Sequence, residues 1–160
     1  METDKIILDA CCGSRMFWFD KANPNVLFAD IRKGDYKTEA GQEFSVKPDI
    51  QMDFTSMPFP DNTFQMVVFD PPHRTDLTPG NWMDLTYGTL FKTWETDLKQ
   101  GVSECMRVLK PGGTLIFKWN AHQITVKKVL SIIEYKPLFG HTTGKSGKTI
   151  WMAFMKHNKQ

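Results

Sequence analysis

Residues 66 to 73 read Met-Val-Val-Phe-Asp-Pro-Pro-His, an apolar run that ends in Asp70-Pro71-Pro72-His73. Two consecutive prolines have no backbone N–H and a fixed φ, so the turn they make is stiff. Their carbonyls lack neighbouring donors and stay free to accept hydrogen bonds from a ligand. A carboxylate stands before the turn and an imidazole after it. Such a surface suits one task well: it holds a planar NH2 group by its hydrogens while the ring stacks on the attached base. An Asp-Pro-Pro turn also ends strands that have no chemical role, so this reading depends on its company.

That company is a set of aspartates, each at the end of an apolar run. Lys5-Ile6-Ile7-Leu8 ends in Asp9, followed by Ala10-Cys11-Cys12-Gly13. Val26-Leu27-Phe28-Ala29 ends in Asp30-Ile31, and Asp49-Ile50-Gln51-Met52 ends in Asp53-Phe54. Short continuous apolar runs are the mark of strands buried in a parallel sheet. Small residues after the first run let the backbone approach a ligand closely. Ligands of open α/β sheets bind outside the carboxyl ends of the strands, where these four acids fall. An acid at the end of the second strand, after a glycine-containing turn, is placed to bind ribose hydroxyls. Helix N-caps also favour aspartate at such positions, which is the competing explanation.

Together these segments resemble the class I S-adenosylmethionine-dependent methyltransferases. Leu8 to Gly13 is similar to the family's first motif, with Cys11 and Cys12 where glycines are usual. Asp30 corresponds to its ribose-binding acid. Asp53 to Phe64 resembles its adenine-contacting loop and the Pro-Phe-x-Asp-x-x-Phe segment that follows. Asp70 to His73 resembles the Asp/Asn-Pro-Pro-aromatic motif of enzymes that methylate planar amino groups, with His in the aromatic place. Arg107 to Leu115 resembles the turn into the fifth strand. The match runs over roughly residues 5 to 120, with the motifs in order.

The resemblance implies a Rossmann-like α/β fold. Its sheet is seven-stranded and mostly parallel, with an antiparallel last strand and helices on both faces. It implies S-adenosylmethionine as cofactor, held by Asp9, Ala10, Cys11, Cys12, Gly13, Asp30, Ile31, Asp53, Phe54 and Asp70. Asp30 would accept the ribose hydroxyls and Asp53 the adenine amino group, with Phe54 against the ring. Asp70 and the Pro71 carbonyl would hold the acceptor amine, with Pro72 stiffening the turn and His73 stacking on the base. Three functions compete: a methyltransferase for a base amino group, adenine N6 in DNA first and RNA second; a protein glutamine-N5 methyltransferase; and a non-catalytic binding module. Asp70 speaks against the third, which has no use for it.

Charge speaks against the second. Net charge is only +2, but residues 1 to 106 hold ten Lys/Arg and seventeen Asp/Glu, whereas residues 107 to 160 hold ten Lys/Arg and one acid, Glu134. Such asymmetry points to a polyanion partner, here DNA or RNA, although a solvated lysine face gives the same count. Few residues remain for target recognition, so sequence choice would fall to the 74–84 loop, to a C-terminal hairpin or to a specificity partner. Three cysteines, two of them adjacent, make no disulfide framework and no metal-ligand spacing, so no metal and a cytoplasmic setting are expected. No run is long enough for a membrane helix, and the start carries no signal-peptide pattern.

The length of 160 residues suggests one domain, 1–160. The expected elements are strands near 5–11, 26–30, 49–53, 66–70 and 114–119, and helices over 14–21, within 85–109 and over 122–133. Residues 33–48 read as polar, with one or two helical turns at most. A final hairpin is expected, with strands near 137–142 and 149–156 across Gly144-Lys145-Ser146-Gly147-Lys148. That loop looks like the end of a phosphate-binding loop, but it lacks the earlier glycine and the following helix. Phe17, Trp18 and Phe19 read as core, with Phe17 or Trp18 as candidates to line the cofactor pocket.

Overall fold

The computed structural model describes residues 1–157. Its order of elements is β1 (Ile7–Asp9), β2 (Val26–Asp30), β3 (Gly34–Lys37), β4 (Glu43–Val46), β5 (Ile50–Gln51), β6 (Phe64–Phe69), α1 (Trp82–Tyr87), α2 (Trp94–Val108), β7 (Leu109–Asn120), α3 (Val126–Ile132), β8 (Phe139–Thr143) and β9 (Thr149–Met155).

Seven strands form one sheet in the order β5-β2-β1-β6-β7-β9-β8. β1 pairs in parallel with β2 on one side and β6 on the other, β5 is parallel to β2, and β7 is parallel to β6. The last strand, β9, runs antiparallel between β7 and β8. The apolar runs are short because the central strands are short, and β2 is buried at every residue. The order reverses at β1 and β6, so their carboxyl ends open on a shared crevice.

Along β7, Leu115, Phe117 and Trp119 are buried while the alternate residues are only half-buried. The buried set joins Leu98, Val102 and Cys105 of α2, Val129 of α3 and Phe154 of β9 in one core. Gly101 of α2 is where the helix comes nearest: a Cβ there would lie 2.6 Å from the Phe54 ring and 3.1 Å from Phe69. The α2 helix and α3 pack against each other.

Three expected helical features take another form. Residues 14–21 make a string of turns in place of a helix. Arg15 adopts φ +57°, and its guanidinium lies 3.8 Å from the Phe28 ring centre while donating to the Lys21 and Lys47 carbonyls and to Asp49. These long-range contacts outweigh a weak helical tendency, since three adjacent aromatic residues propagate a helix poorly. Residues 33–48 form the β3–β4 hairpin, where Tyr36 stacks on Phe44 at 5.4 Å. The 85–109 span is two helices, α1 and α2, divided at Gly88, whose φ of +77° ends α1. With turns and a hairpin in the first two crossovers, helices on both faces are not seen among the described residues.

The C-terminal hairpin forms as expected. Gly144 and Gly147 both have positive φ, and the Gly147 amide donates to the Gly144 carbonyl, so the Gly-Lys-Ser-Gly-Lys segment is a hairpin turn. No helix among the described residues is long and apolar enough to cross a membrane.

Candidate active site

The first turn hangs from both neighbouring strands. The Ala10 amide donates to the Val68 carbonyl at 2.9 Å and the Cys12 amide to the Ala29 carbonyl at 2.8 Å. Gly13 follows at φ +48°, and its amide donates to Asp30 Oδ2 at 2.8 Å. Asp9 and Ala10 are fully buried, and Cys12 nearly so. Burial pushes the Cys12 thiol up to about 12 and Cys11 well above its ordinary value, so neither is a thiolate near neutral pH.

Asp9 accepts from Trp18 Nε1 at 2.7 Å and from the Cys11 amide at 3.3 Å. Burial outweighs both bonds, and with the like charges of Asp70 and Asp30 it raises the carboxyl to about 7. Trp18 therefore fixes the strand-end acid, and its ring meets Phe28 edge to face.

Asp30 sits at the carboxyl end of β2 and is 3% exposed. Its Oδ1 accepts the Arg32 amide at 2.9 Å and Arg32 Nε at 3.1 Å, and Arg32 Nη2 lies 3.4 Å from Oδ2. The guanidinium continues outward, where Nη1 donates to the Leu85 carbonyl of α1 at 2.9 Å. The acid expected to bind ribose is thus held by an arginine that also ties down α1. Ile31, beside it, is exposed.

Asp53 is exposed, and its Oδ1 accepts from the Thr55 amide and hydroxyl at 2.8 and 2.7 Å, which shapes the loop after β5. Phe54 meets Phe69 edge to face at 5.2 Å and is half-buried. Beyond it, Arg107 locks the loop to α2. The guanidinium donates to Glu104, Asp61 and the Met57 and Phe59 carbonyls, and Glu104 in turn accepts the Met57 amide.

Asp70 follows β6 directly, and its Oδ2 accepts from Lys118 Nζ at 2.5 Å. Burial raises the Asp70 carboxyl, and the Lys118 charge opposes that shift. Pro71 is buried, and Pro72 packs against Gly88, where a Cβ would lie 3.1 Å from the proline ring. His73 stands 6.3 Å from Trp119 and 6.4 Å from Tyr87, ring centre to ring centre. Burial first, then the Lys118 and Arg74 charges, lower the His73 pKa to about 4, so it is a neutral ring at physiological pH.

The segment after the turn folds over this edge. The Leu90 amide donates to the Arg74 carbonyl, Arg74 pairs with Asp76, and Asn81 caps α1 through the Asp84 amide. The structure therefore gathers Asp9, Gly13, Asp30, Asp70 and His73 at one sheet edge, with Asp53 and Phe54 on the adjoining loop. Sequence reasoning missed Arg32 and Lys118. Arg32 follows its acid by two residues, and Lys118 lies between two buried aromatic residues on β7, the only hints available. Among the described residues no cluster of His, Cys, Asp and Glu is arranged to hold a metal ion.

No protein-family model matches the chain. A 35-residue stretch, 22% of the chain, is 51% identical to malonyl-[acyl-carrier protein] O-methyltransferase 1 of Coxiella burnetii and spans 12% of that relative's length. Among solved structures, a protein of Pyrococcus horikoshii superimposes with a TM-score of 0.62 at 15% identity, over 94% of this chain and 81% of the other. A SAM-dependent methyltransferase from Methanosarcina mazei gives a TM-score of 0.57 at 13% identity, over 99% and 95% of the two chains. The strand order, the antiparallel last strand and these superpositions agree: the chain has the Rossmann-like fold of the S-adenosylmethionine-dependent methyltransferases.

Proposed function

We propose that the chain is an S-adenosylmethionine-dependent methyltransferase that acts on an exocyclic amino group of a nucleic-acid base, adenine N6 in DNA first. One observation carries this reading. The Asp70 carboxylate of the Asp-Pro-Pro turn opens at the same sheet edge as Asp9, the Gly13 turn and Asp30. A site for an amine thus adjoins a site for a nucleoside.

The residues fit the cofactor on two counts. The Gly13 turn brings backbone close to the edge without a Cβ, and Asp30 offers two carboxylate oxygens once Arg32 moves aside. Asp9 to Gly13, Asp30 with Ile31, and Asp53 with Phe54 would hold the cofactor. When bound, S-adenosylmethionine supplies a methyl group on a sulfonium, ready for nucleophilic attack. The chain's own contribution is to position the nucleophile. An exocyclic amine is a poor nucleophile because its lone pair is delocalised into the ring. Asp70 accepts one N–H and the Pro71 carbonyl another. Together they favour a pyramidal nitrogen with its lone pair free of the ring, in a largely buried site. His73, held neutral, offers a ring face and no charge.

Nucleic acid is the favoured acceptor because of the basic C-terminal third. Among the described residues, four of its cations are tied internally: Arg107 to Glu104, Lys118 to Asp70, Lys128 to Glu95 and Lys156 to the Arg107 and Leu109 carbonyls. Lys145 and Lys148 are exposed in the hairpin loop and suit phosphate contact. A base within a duplex must be flipped out to reach Asp70. The test is transfer of a tritiated methyl group to DNA, RNA and protein, followed by nucleoside analysis. Label in N6-methyladenine supports the reading. Label in protein glutamine overturns the nucleic-acid part, and no transfer to any fraction overturns the enzyme.

A further inference from the structure

Lys118 belongs to no motif visible in the sequence, yet it is the closest charged neighbour of Asp70. Along β7 it points away from the core that takes Phe117 and Trp119. Its Nζ donates to Asp70 Oδ2 at 2.5 Å, with 26% of the lysine side chain and 21% of the aspartate side chain exposed. The same ammonium lies 5.5 Å from the centre of the Phe17 ring and 5.6 Å from that of Trp151. Those two rings meet edge to face at 5.5 Å. A lysine head is normally strongly hydrated on a flexible stem. Here two aromatic rings and one carboxylate restrain it, and the turn of residues 14–21 brings Phe17 to it.

On the methyltransferase reading above, we propose that Lys118 is a positioning residue: it pins Oδ2 of Asp70, keeps the carboxylate charged, and leaves Oδ1 to accept an N–H of the acceptor. A protonated Asp70 would present an O–H donor to the amine and compete for its lone pair. Burial is what disfavours the ionised form of Asp70. Asp9 on β1 and Asp30 on β2 are the other acids at this edge, and Asp9, its own carboxyl raised to about 7, is charged only as the pH passes that value. His73 on the same turn is neutral. Lys118 from β7 is the opposing charge, and the buried site would otherwise favour the acid form. The pair also narrows the acceptor class. An acceptor that brings its own N–H, such as a base amine or an amide, finds a matched acceptor oxygen. An anionic oxygen nucleophile meets the charge of Asp70 instead.

The test uses Lys118→Met and Lys118→Arg in the full chain. In the free protein, 13C-labelled aspartate carboxyls are titrated by NMR, with the Asp70 signal assigned by its loss in Asp70→Asn. Lys118→Met is expected to move the Asp70 midpoint up by roughly one pH unit or more, and Lys118→Arg to restore it. In methyl transfer, Lys118→Met should lose roughly tenfold or more in kcat at pH 6 and less at pH 8.5, with cofactor affinity unchanged. An unmoved Asp70 midpoint, or a loss equal at both pH values, overturns the proposal. A wild-type protein that transfers no methyl group overturns the enzyme reading itself. The carboxyl titration, which needs no turnover, separates that failure from a failure of Lys118.

Discussion

Arg32→Ala should make the chain bind its cofactor more tightly while making it less stable. Removing an arginine from a nucleoside pocket ordinarily weakens binding, so the sign is diagnostic. The expectation comes from what Arg32 touches. Its side chain donates to Asp30 at 3.1 and 3.4 Å and to the Leu85 carbonyl at 2.9 Å. Ribose hydroxyls that use Asp30 must displace those donors. Hydrogen bonds to a charged group contribute about 1.5–3 kcal/mol. Arg32 is 23% exposed, so the lower part of that range applies. About 1.5–2 kcal/mol corresponds to roughly 10- to 30-fold in affinity. In the variant Asp30 keeps the backbone amides of Gly13 and residue 32, both independent of the side chain, so its charge is not orphaned. Stability should fall by about 1–2 kcal/mol, a few degrees in Tm for a chain of this size. Calorimetry with S-adenosylhomocysteine measures the affinity. Hydrogen exchange across α1 should rise in the variant, because its tie to β2 is gone. Asp30→Ala should go the other way and weaken binding by about 1.5–3 kcal/mol. Weaker or unchanged binding in Arg32→Ala would refute the displacement argument and place the guanidinium on the ligand.

Three further outcomes are expected. Asp70→Ala should abolish methyl transfer yet leave cofactor affinity within about twofold, since the carboxylate acts on the acceptor; comparable turnover in the variant would reduce the Asp-Pro-Pro turn to a structural element. Asp9 is fully buried with its carboxyl raised from 3.8 to about 7, so its contribution to stability is fully present below about pH 4 and is lost as pH rises toward 7. Asp9→Asn should therefore stabilise the fold increasingly over that window, by up to roughly 4 kcal/mol, and urea midpoints at pH 4.5 and pH 8 that shift equally would count against it. Replacing Lys145 and Lys148 together by Ala should weaken DNA binding and flatten its dependence on salt, by roughly one unit of log–log slope for each phosphate no longer neutralised; a mobility shift with an unaltered slope would assign phosphate binding to Arg74 and its loop instead.

Strand positions were legible because buried parallel strands leave an uninterrupted apolar signature, as in Val26 to Ala29, and because β1, β2, β5 and β6 each end in or lead into an acid. The segment between β1 and β2 was not. Its conformation depends on Arg15 reaching Asp49 and on Trp18 reaching Asp9, contacts that no local pattern encodes. The β3–β4 hairpin was obscured for the same reason: Tyr36 and Phe44 stack across a polar ribbon with no periodic apolar face. In the site, the residues adjacent to strand ends could be named from sequence, whereas their partners could not. Lys118 reaches Asp70 across 48 residues, and Arg32 joins Asp30 to Leu85 across 53.

β1 has only three residues, yet it is the middle one of the five strands that run parallel. It pairs with Val26 to Phe28 on one side and with Met66 to Val68 on the other. Joining β1 to β6 closes a loop of roughly 60 residues before either strand gains its second neighbour, an entropic cost that only later contacts offset. A sheet assembled from such distant pairs folds slowly, on the millisecond-to-second scale expected for non-local topologies. The rate-limiting ensemble should contain β6, α2 and β7, which all lie within residues 64–120, with β1 docking onto them afterwards. Substitutions at Val67, Val102 or Phe117 should therefore slow refolding, whereas substitution at Leu8 should chiefly speed unfolding. The turns that carry Asp9 and Gly13 would then be among the last parts of the molecule to acquire their shape.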